Sequence, residues 1–265
     1  MGLISPEERL KKLKRNNIKE KKSYRLRLTK SENDLIKHRR NKTIRNILVV
    51  GDLHCPFDLD KYLSHCIEQY EKWNCNQVIF IGDIVDGHGW SYHEADPDGM
   101  SAGHELSYAV KRIARWYEAF NNDTVPFGVD VCVGNHDRLA ARKAMTGGVP
   151  SAWIRSYNEV LKTPDWNWVE NVVYDDVLYE HGEGGQALTK AKNNMMSSVC
   201  GHTHTSAYVQ WLVGKKFRVF AVQTACGINN KTYAAAYAKN FKKQAIGCAV
   251  ILDSGKIPIS CMMSL

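Results

Sequence analysis

Five short stretches of this 265-residue chain end an apolar run in residues that bind cations. They are Asp52-Leu53-His54, Gly82-Asp83 with Asp86 three residues on, Gly134-Asn135-His136-Asp137, His181-Gly182, and Gly201-His202-Thr203-His204. A Val- and Ile-rich run such as Gln77 to Ile81 reads as a strand buried on both faces. Open α/β sheets bind ligands at the carboxyl ends of such strands. Any one of these motifs alone reads as a polar turn or a hydrogen-bonded histidine; five on successive strands do not. The donors Asp52, His54, Asp83, Asn135, His181, His202 and His204 offer oxygen and imidazole nitrogen without thiolate. That set suits divalent manganese first, with iron, zinc, nickel or cobalt as alternatives. Alternate residues of an extended chain point the same way, so Asp52/His54 and His202/His204 each grip from one side. The donors exceed one ion's need, and two ions sharing Asp83 satisfy the count.

The elements that position these residues follow from periodicity. Leu59 to Trp73 has helical spacing and separates Asp52 from Asp83 by about the length of one βαβ unit, which sets the two carboxylates on neighbouring parallel strands. Helices are expected over Glu105 to Phe120, Leu139 to Met145, Ser151 to Leu161 and Gln186 to Met196. Strands are expected over Gly128 to Val133, Ala207 to Val213, Phe217 to Gln223, Gln244 to Leu252 and Ile257 to Met262. The loop from His88 to His104 is rich in Gly, His and Asp, and a long loop at this edge of a sheet is usually functional. His88 and His93 are its candidate substrate-binding residues, with Trp90 and Tyr92 as surfaces on which a base could stack. Arg138 is a further candidate to grip a phosphate, or else to pair with Asp137 or Asp86.

Ahead of this body, residues 1–44 form a basic arm, with a helix from Ser5 to Lys22, a short strand Tyr24 to Leu28 and a helix Glu32 to Arg40. The run Tyr24 to Arg40 resembles one strand-plus-helix unit of the ribbon-helix-helix DNA-binding proteins. Much of the basic charge in a chain of net +8 lies between Arg9 and Arg45, which points to an anionic partner, DNA or RNA first; a solvated helical face is the plainer alternative. The eight cysteines are scattered without a CxxC pair, which fits buried thiols in a reducing compartment. No apolar stretch approaches the roughly 20 residues of a membrane span, and the N-terminus lacks the apolar core of a signal peptide. A soluble, cytoplasmic protein is expected, its oligomeric state left open.

The ordered set D-x-H, G-D-x-x-D, G-N-H-D, H and G-H-x-H resembles the calcineurin-like metallophosphoesterase superfamily, from Ile47 to about His204 and on into the β-rich tail. The resemblance implies an α/β fold over residues 45–265, a four-layer α/β/β/α sandwich of two mixed sheets flanked by helices. It implies that Asp52, His54, Asp83 and His204 hold one metal ion, and Asp83, Asn135, His181 and His202 a second. His136 would be the acid beside the leaving oxygen, oriented by Asp137, and Asp86 would fix the orientation of a ligand. Two such cations bridge a phosphate, lower the pKa of a bound water and neutralise charge in an in-line displacement. The expected activity is that of a phosphodiesterase or nuclease on nucleic acid or nucleotides, the basic arm giving the lean. A phosphomonoesterase acting on phosphoprotein or a small metabolite is the alternative, and a catalytically inactive binding protein the third reading.

Overall fold

The computed structural model describes residues 44–92, 98–229 and 243–264, with Lys30, Lys231 and Thr232. The expected helices and strand of the arm lie outside these residues, as does His93. Strands β1 (Ile47–Val50), β2 (Gln77–Phe80) and β3 (Val129–Cys132) are buried along their whole length and pair in parallel; their two polar members pair with each other, Gln77 Nε2 donating to Asp130 Oδ2 at 2.8 Å. β4 (Asn167–Val169) continues the parallel set beside β3. Beyond β5 (Asn171–Tyr174), β6 (Val177–Glu180), β7 (Ser197–Cys200), β8 (Tyr208–Val213) and β9 (Arg218–Gln223), the chain returns through β10 (Gly247–Leu252) and β11 (Ile257–Met262) to the free side of β1. The first sheet therefore runs β11-β10-β1-β2-β3-β4 and the second β5-β6-β7-β9-β8, each with parallel and antiparallel pairs.

Side-chain alternation along β1 divides the core. Ile47 and Val49 face the second sheet, where they join Ile79, Ile81, Val177, Tyr179, Val199 and Val222. Leu48 and Val50 face the other way, with Phe80 and Val131, onto α1 (Tyr62–Lys72) and α2 (Ala102–Ala119) through Tyr62, Leu63, Ile113 and Trp116. Each fully buried aliphatic side chain of this kind contributes about 1.5–3 kcal/mol. On the outer face of the second sheet, α5 (Ala187–Asn194) lays Ala187 and Ala191 against Cys200 and Ala221. The result is a four-layer sandwich of two mixed sheets between helices. Only Glu170 separates β4 from β5, so one run of chain passes from the first sheet to the second.

Several expected boundaries shift for local reasons. Ser151 to Leu161 is not one helix: a 3-10 turn over Ser151–Trp153 precedes α4 (Tyr157–Leu161). Ser156 starts that helix with a capping box, its hydroxyl accepting from Glu159 N and the Glu159 carboxylate from Ser156 N. Helix α2 begins at Ala102 rather than Glu105, and α3 spans Leu139–Thr146. Gln244 to Ile246 stay outside β10. Trp166 belongs to no strand; its ring stacks on Phe80 at 4.6 Å and its Nε1 donates to Phe120 O at 2.8 Å. All eight cysteines are buried free thiols. Among the described residues no helix is long and apolar enough to cross a membrane.

Candidate metal centre

The five motifs meet where β1, β2 and β3 of the first sheet and β6 and β7 of the second deliver their carboxyl ends. The register Val50↔Phe80 brings the Asp52 and Asp83 turns to one rim, and Leu53 N and His54 N both donate to Asp83 O, at 3.1 and 2.8 Å. The turns are sharp. His54, Asp83 and His202 take left-handed backbone conformations, with φ of 50°, 49° and 67°. L-residues rarely adopt this region, and holding one there costs of order 1–3 kcal/mol, strain that collects at functional sites. Two glycines make room for the carboxylates. A Cβ on Gly134 would lie 2.1 Å from Asp83 Oδ1, and one on Gly201 would lie 2.2 Å from Asp52 Oδ1. Main-chain amides then aim the acids: His136 N donates to Asp83 Oδ1 at 2.9 Å and His202 N to Asp52 Oδ2 at 2.8 Å.

Three clusters of donors result, of which two share Asp83; the third joins His54 to Asp86 and His136. Asp52, His54, Asp83 and His204 each offer an atom, all within 4.8 Å of one another, and Asp83, His181 and His202 do the same. Asn135 Oδ1 lies 2.9 Å from His181 Nε2 and so adjoins the second set. The buried histidines have their tautomers fixed from behind. His54 Nδ1 donates to Asp86 Oδ1 at 2.8 Å and His181 Nδ1 to Ile81 O at 3.0 Å, which turns both Nε2 atoms inward, 3.4 and 3.2 Å from Asp83 Oδ2. His204 Nε2 lies 3.0 Å from Asp52 Oδ2. Asp52 Oδ1 is buried and accepts no hydrogen bond among the described residues. A buried carboxylate oxygen without a partner is costly, and a divalent cation among these oxygen and nitrogen donors would satisfy it. The residues fit such ions.

The electrostatics of the metal-free site are set by carboxylates and histidines packed against one another. Burial pushes Asp83 up, yet the charge of His181 and hydrogen bonds from His181 and His54 hold it well below the ordinary carboxylate range. Asp52 is likewise lowered against its burial, by its bond to His204 and the charge of His181. Burial pushes His54 and His181 down, but Asp83 and Asp86 beside the first, and Asp83 and Asp52 beside the second, raise each to about 10. His202 is lowered by burial and by the charge of His181.

Residues next to the two donor sets differ from expectation in instructive ways. His136 Nδ1 lies 2.5 Å from Asp86 O, and since a carbonyl only accepts, Nδ1 carries the proton. Burial and the charge of His54 lower its pKa, so the neutral ring presents Nε2 as an acceptor and needs a second proton to act as an acid. Asp137 does not orient this ring. Its carboxylate accepts from Ile84 N at 2.9 Å, Val85 N at 3.2 Å and Gly134 N at 2.9 Å, and so locks the Asp83 turn to the Asn135 turn. Burial and the charge of Asp83 raise Asp137 to about 6. Arg138 meets neither Asp137 nor Asp86; its guanidinium pairs with Glu183 at 2.5 Å and with Glu170. His88 is buried rather than at a substrate mouth. The turn that holds it is tied to α2, with His88 N and Gly89 N donating to the Glu105 carboxylate at 2.9 and 2.6 Å. His104 stands exposed on α2.

Sequence reasoning passed over Gln223 and Arg142. The buried Gln223 amide donates to Cys200 O at 3.3 Å and to Gly201 O, and its oxygen accepts from Ala187 N at 3.1 Å, which pins the His202 turn. Its signal was a polar residue ending the apolar run Phe220–Val222, as in the five motifs. Arg142 lines a cleft of about 300 Å³ together with Asn135, His136, Leu139, Ser91 and Tyr92.

Solved structures similar to the chain include an archaeal phosphodiesterase, at 14% identity over 82% of this chain and 99% of that one with a TM-score of 0.44. Others are the E. coli phosphoesterase Yfce, at 14% identity over 82% and 99% with a TM-score of 0.39, and Vps29 from Cryptosporidium parvum, at 12% over 84% and 98% with a TM-score of 0.41. No curated protein matches the chain. The family model for calcineurin-like phosphoesterases matches residues 45–224, a span that holds all five motifs and both donor sets. The chain belongs to the calcineurin-like phosphoesterase family and is a metal-dependent phosphoester hydrolase.

Proposed function

We propose that this protein is a dinuclear phosphodiesterase acting on nucleic acid or nucleotides. Asp52, His54, Asp83 and His204 hold one divalent cation and Asp83, Asn135, His181 and His202 the other, with manganese first and iron, zinc, nickel or cobalt as alternatives. The observation that carries this reading is Asp83, which offers its carboxylate to both donor sets. Cations bound there supply Lewis-acid charge at the phosphoryl oxygens and a nucleophile at neutral pH. The chain's own residues do the rest. Asp86 orients His54 through its carboxylate and His136 through its carbonyl. His136, once it carries its second proton, delivers that proton from Nε2 to the departing alkoxide. Asp137 keeps the two turns in register, a positioning residue rather than a group that meets the substrate.

The lean towards nucleic acid rests on the basic segment from Arg9 to Arg45, which we read as an arm over residues 1–44, separate from the catalytic domain over 45–265. Eight buried free thiols support a reducing, cytoplasmic compartment. The test is a pair of assays with Mn²⁺, bis-p-nitrophenyl phosphate against p-nitrophenyl phosphate, followed by single- and double-stranded DNA. Diester turnover is expected; turnover of the monoester alone removes the phosphodiesterase reading. Deleting residues 1–42 is expected to weaken nucleic-acid binding and flatten its salt dependence, and an unchanged salt slope removes the arm from substrate binding.

A further inference from the structure

The cleft beside the metal centre carries a second set of recognition groups that the hydrolytic chemistry does not use. Its walls join Asn135 and His136 to Tyr92 and Arg142, with Ser91 and Leu139 between them, around about 300 Å³. Tyr92 is a large aromatic left 52% exposed at this opening. Its ring is held in place by its surroundings on α3. The Arg142 guanidinium lies 5.5 Å from the ring centroid, the Lys143 ammonium 5.0 Å, and the Tyr92 hydroxyl lies 3.3 Å from Thr146 Oγ1. Arg138, one helical turn earlier, is neutralised by Glu170 and Glu183, whereas among the described residues no carboxylate lies within ion-pair distance of Arg142. An exposed, fixed aromatic surface next to an arginine that no described carboxylate neutralises suits a flat ring joined to an anion.

We propose that this cleft is the subsite for the nucleoside flanking the scissile phosphate, the base stacking on Tyr92 and Arg142 pairing with the next phosphate along the strand. The inference rests on the phosphodiesterase reading and narrows it. A base can lie on Tyr92 only when it has left its duplex partner, so the substrate is single-stranded or frayed nucleic acid, or a dinucleotide. Arg142 supplies charge without reading sequence, and Tyr92 stacks on any base.

The experiment uses the full chain loaded with Mn²⁺ and two labelled single-stranded oligomers, oligo-dT and the same backbone with abasic residues. Wild-type kcat/KM is expected to be about tenfold higher for the intact oligomer, the scale of one stacked base. Tyr92→Ala is expected to bring that ratio close to one, while Tyr92→Phe keeps it. Arg142→Gln is expected to lower kcat/KM for both oligomers and reduce the salt slope by about one. A wild-type enzyme that cleaves both oligomers equally, or a ratio that survives Tyr92→Ala, overturns the stacking subsite and leaves the phosphodiesterase reading standing. An unchanged salt slope in Arg142→Gln overturns the phosphate contact. Failure of the wild type on every diester, with turnover of p-nitrophenyl phosphate, overturns the phosphodiesterase reading itself.

Discussion

Asp86 and His54 are joined by a 2.8 Å bond between Oδ1 and Nδ1, both side chains wholly buried. The bond fixes the tautomer of His54 and turns its Nε2 towards Asp83. The same residue's carbonyl holds the His136 ring, so one position orients a donor of the first set and the ring beside the cleft. Partners of this kind behind a metal-ligating histidine are worth about 10–100-fold in metal affinity. Asp86→Ala is therefore expected to weaken Mn²⁺ binding, measured by titration calorimetry, by about that factor. The main-chain bond to His136 remains in the variant, so the loss should fall on affinity more than on the pH dependence of turnover. An unchanged Mn²⁺ Kd would sink the assignment of His54 as a ligand held by Asp86.

Asp83 is the position where removal should hurt most. Its Oδ1 is anchored by His136 N, its Oδ2 lies between His54 and His181, and its backbone takes φ of 49°. Asp83→Asn keeps the shape and the anchoring acceptor but removes the charge shared by the two donor sets. We expect cation uptake and diester turnover to fall by more than about a hundredfold, beyond the loss from an outer partner. Circular dichroism should show the fold retained. Near-normal turnover in a folded Asp83→Asn protein is the outcome that the shared-ligand reading does not survive.

The raised histidines give a pH prediction with a definite sign. His54 and His181, each raised to about 10, are protonated in the metal-free protein at pH 7. Their ion pairs with Asp83 therefore stabilise that form fully below the ordinary histidine value and cease to do so as pH rises through about 10. For Asp83, held well below its ordinary value, the contribution is present above that value and lost as pH falls through the lowered one. Ligation requires neutral imidazole, so Mn²⁺ uptake at pH 7 should release about two protons, one from each ring, and affinity should rise with pH. Calorimetry in buffers of differing ionisation enthalpy counts those protons. Uptake without proton release would show that the two rings are not ligands.

The strands and the donor residues were legible because each is a local pattern. Ile47–Val50 and residues 78–81 are apolar without interruption, which marks them for burial on both faces, and each is followed within two residues by a carboxylate. What was not legible depends on partners far away in the chain. The acceptors of Arg138 lie 32 and 45 residues on, and Glu170 reaches it only because it sits where the chain crosses from β4 to β5. Asp137 turns from its neighbour His136 to amides 52 and 53 residues back, a choice made by the packing of two turns and invisible in the spacing. His88 is drawn inward by Glu105, which is itself buried at the start of α2 and takes up two amides of the turn. A histidine in a polar loop gives no sign of that anchor.

Arg138 provides the sharpest test of this difference between motif and structure. Its place directly after Asp137 suggests a phosphate contact, yet its guanidinium is engaged by two carboxylates whose side chains are 49% and 70% exposed. Pairs as open to water as these contribute about 0–1 kcal/mol each. Arg138→Gln should accordingly lower stability by about 1 kcal/mol or less, read as a small shift in the denaturant midpoint. Its effect on kcat/KM for diesters should be less than about threefold, the kinetic counterpart of about 0.65 kcal/mol. Arg142→Gln, one turn further along α3, is expected to show the opposite pattern, with little change in stability and a clear loss in kcat/KM for oligonucleotides. If Arg138→Gln raises KM tenfold or more while Arg142→Gln does not, the phosphate contact belongs to Arg138, and Glu170 and Glu183 must release it when substrate binds.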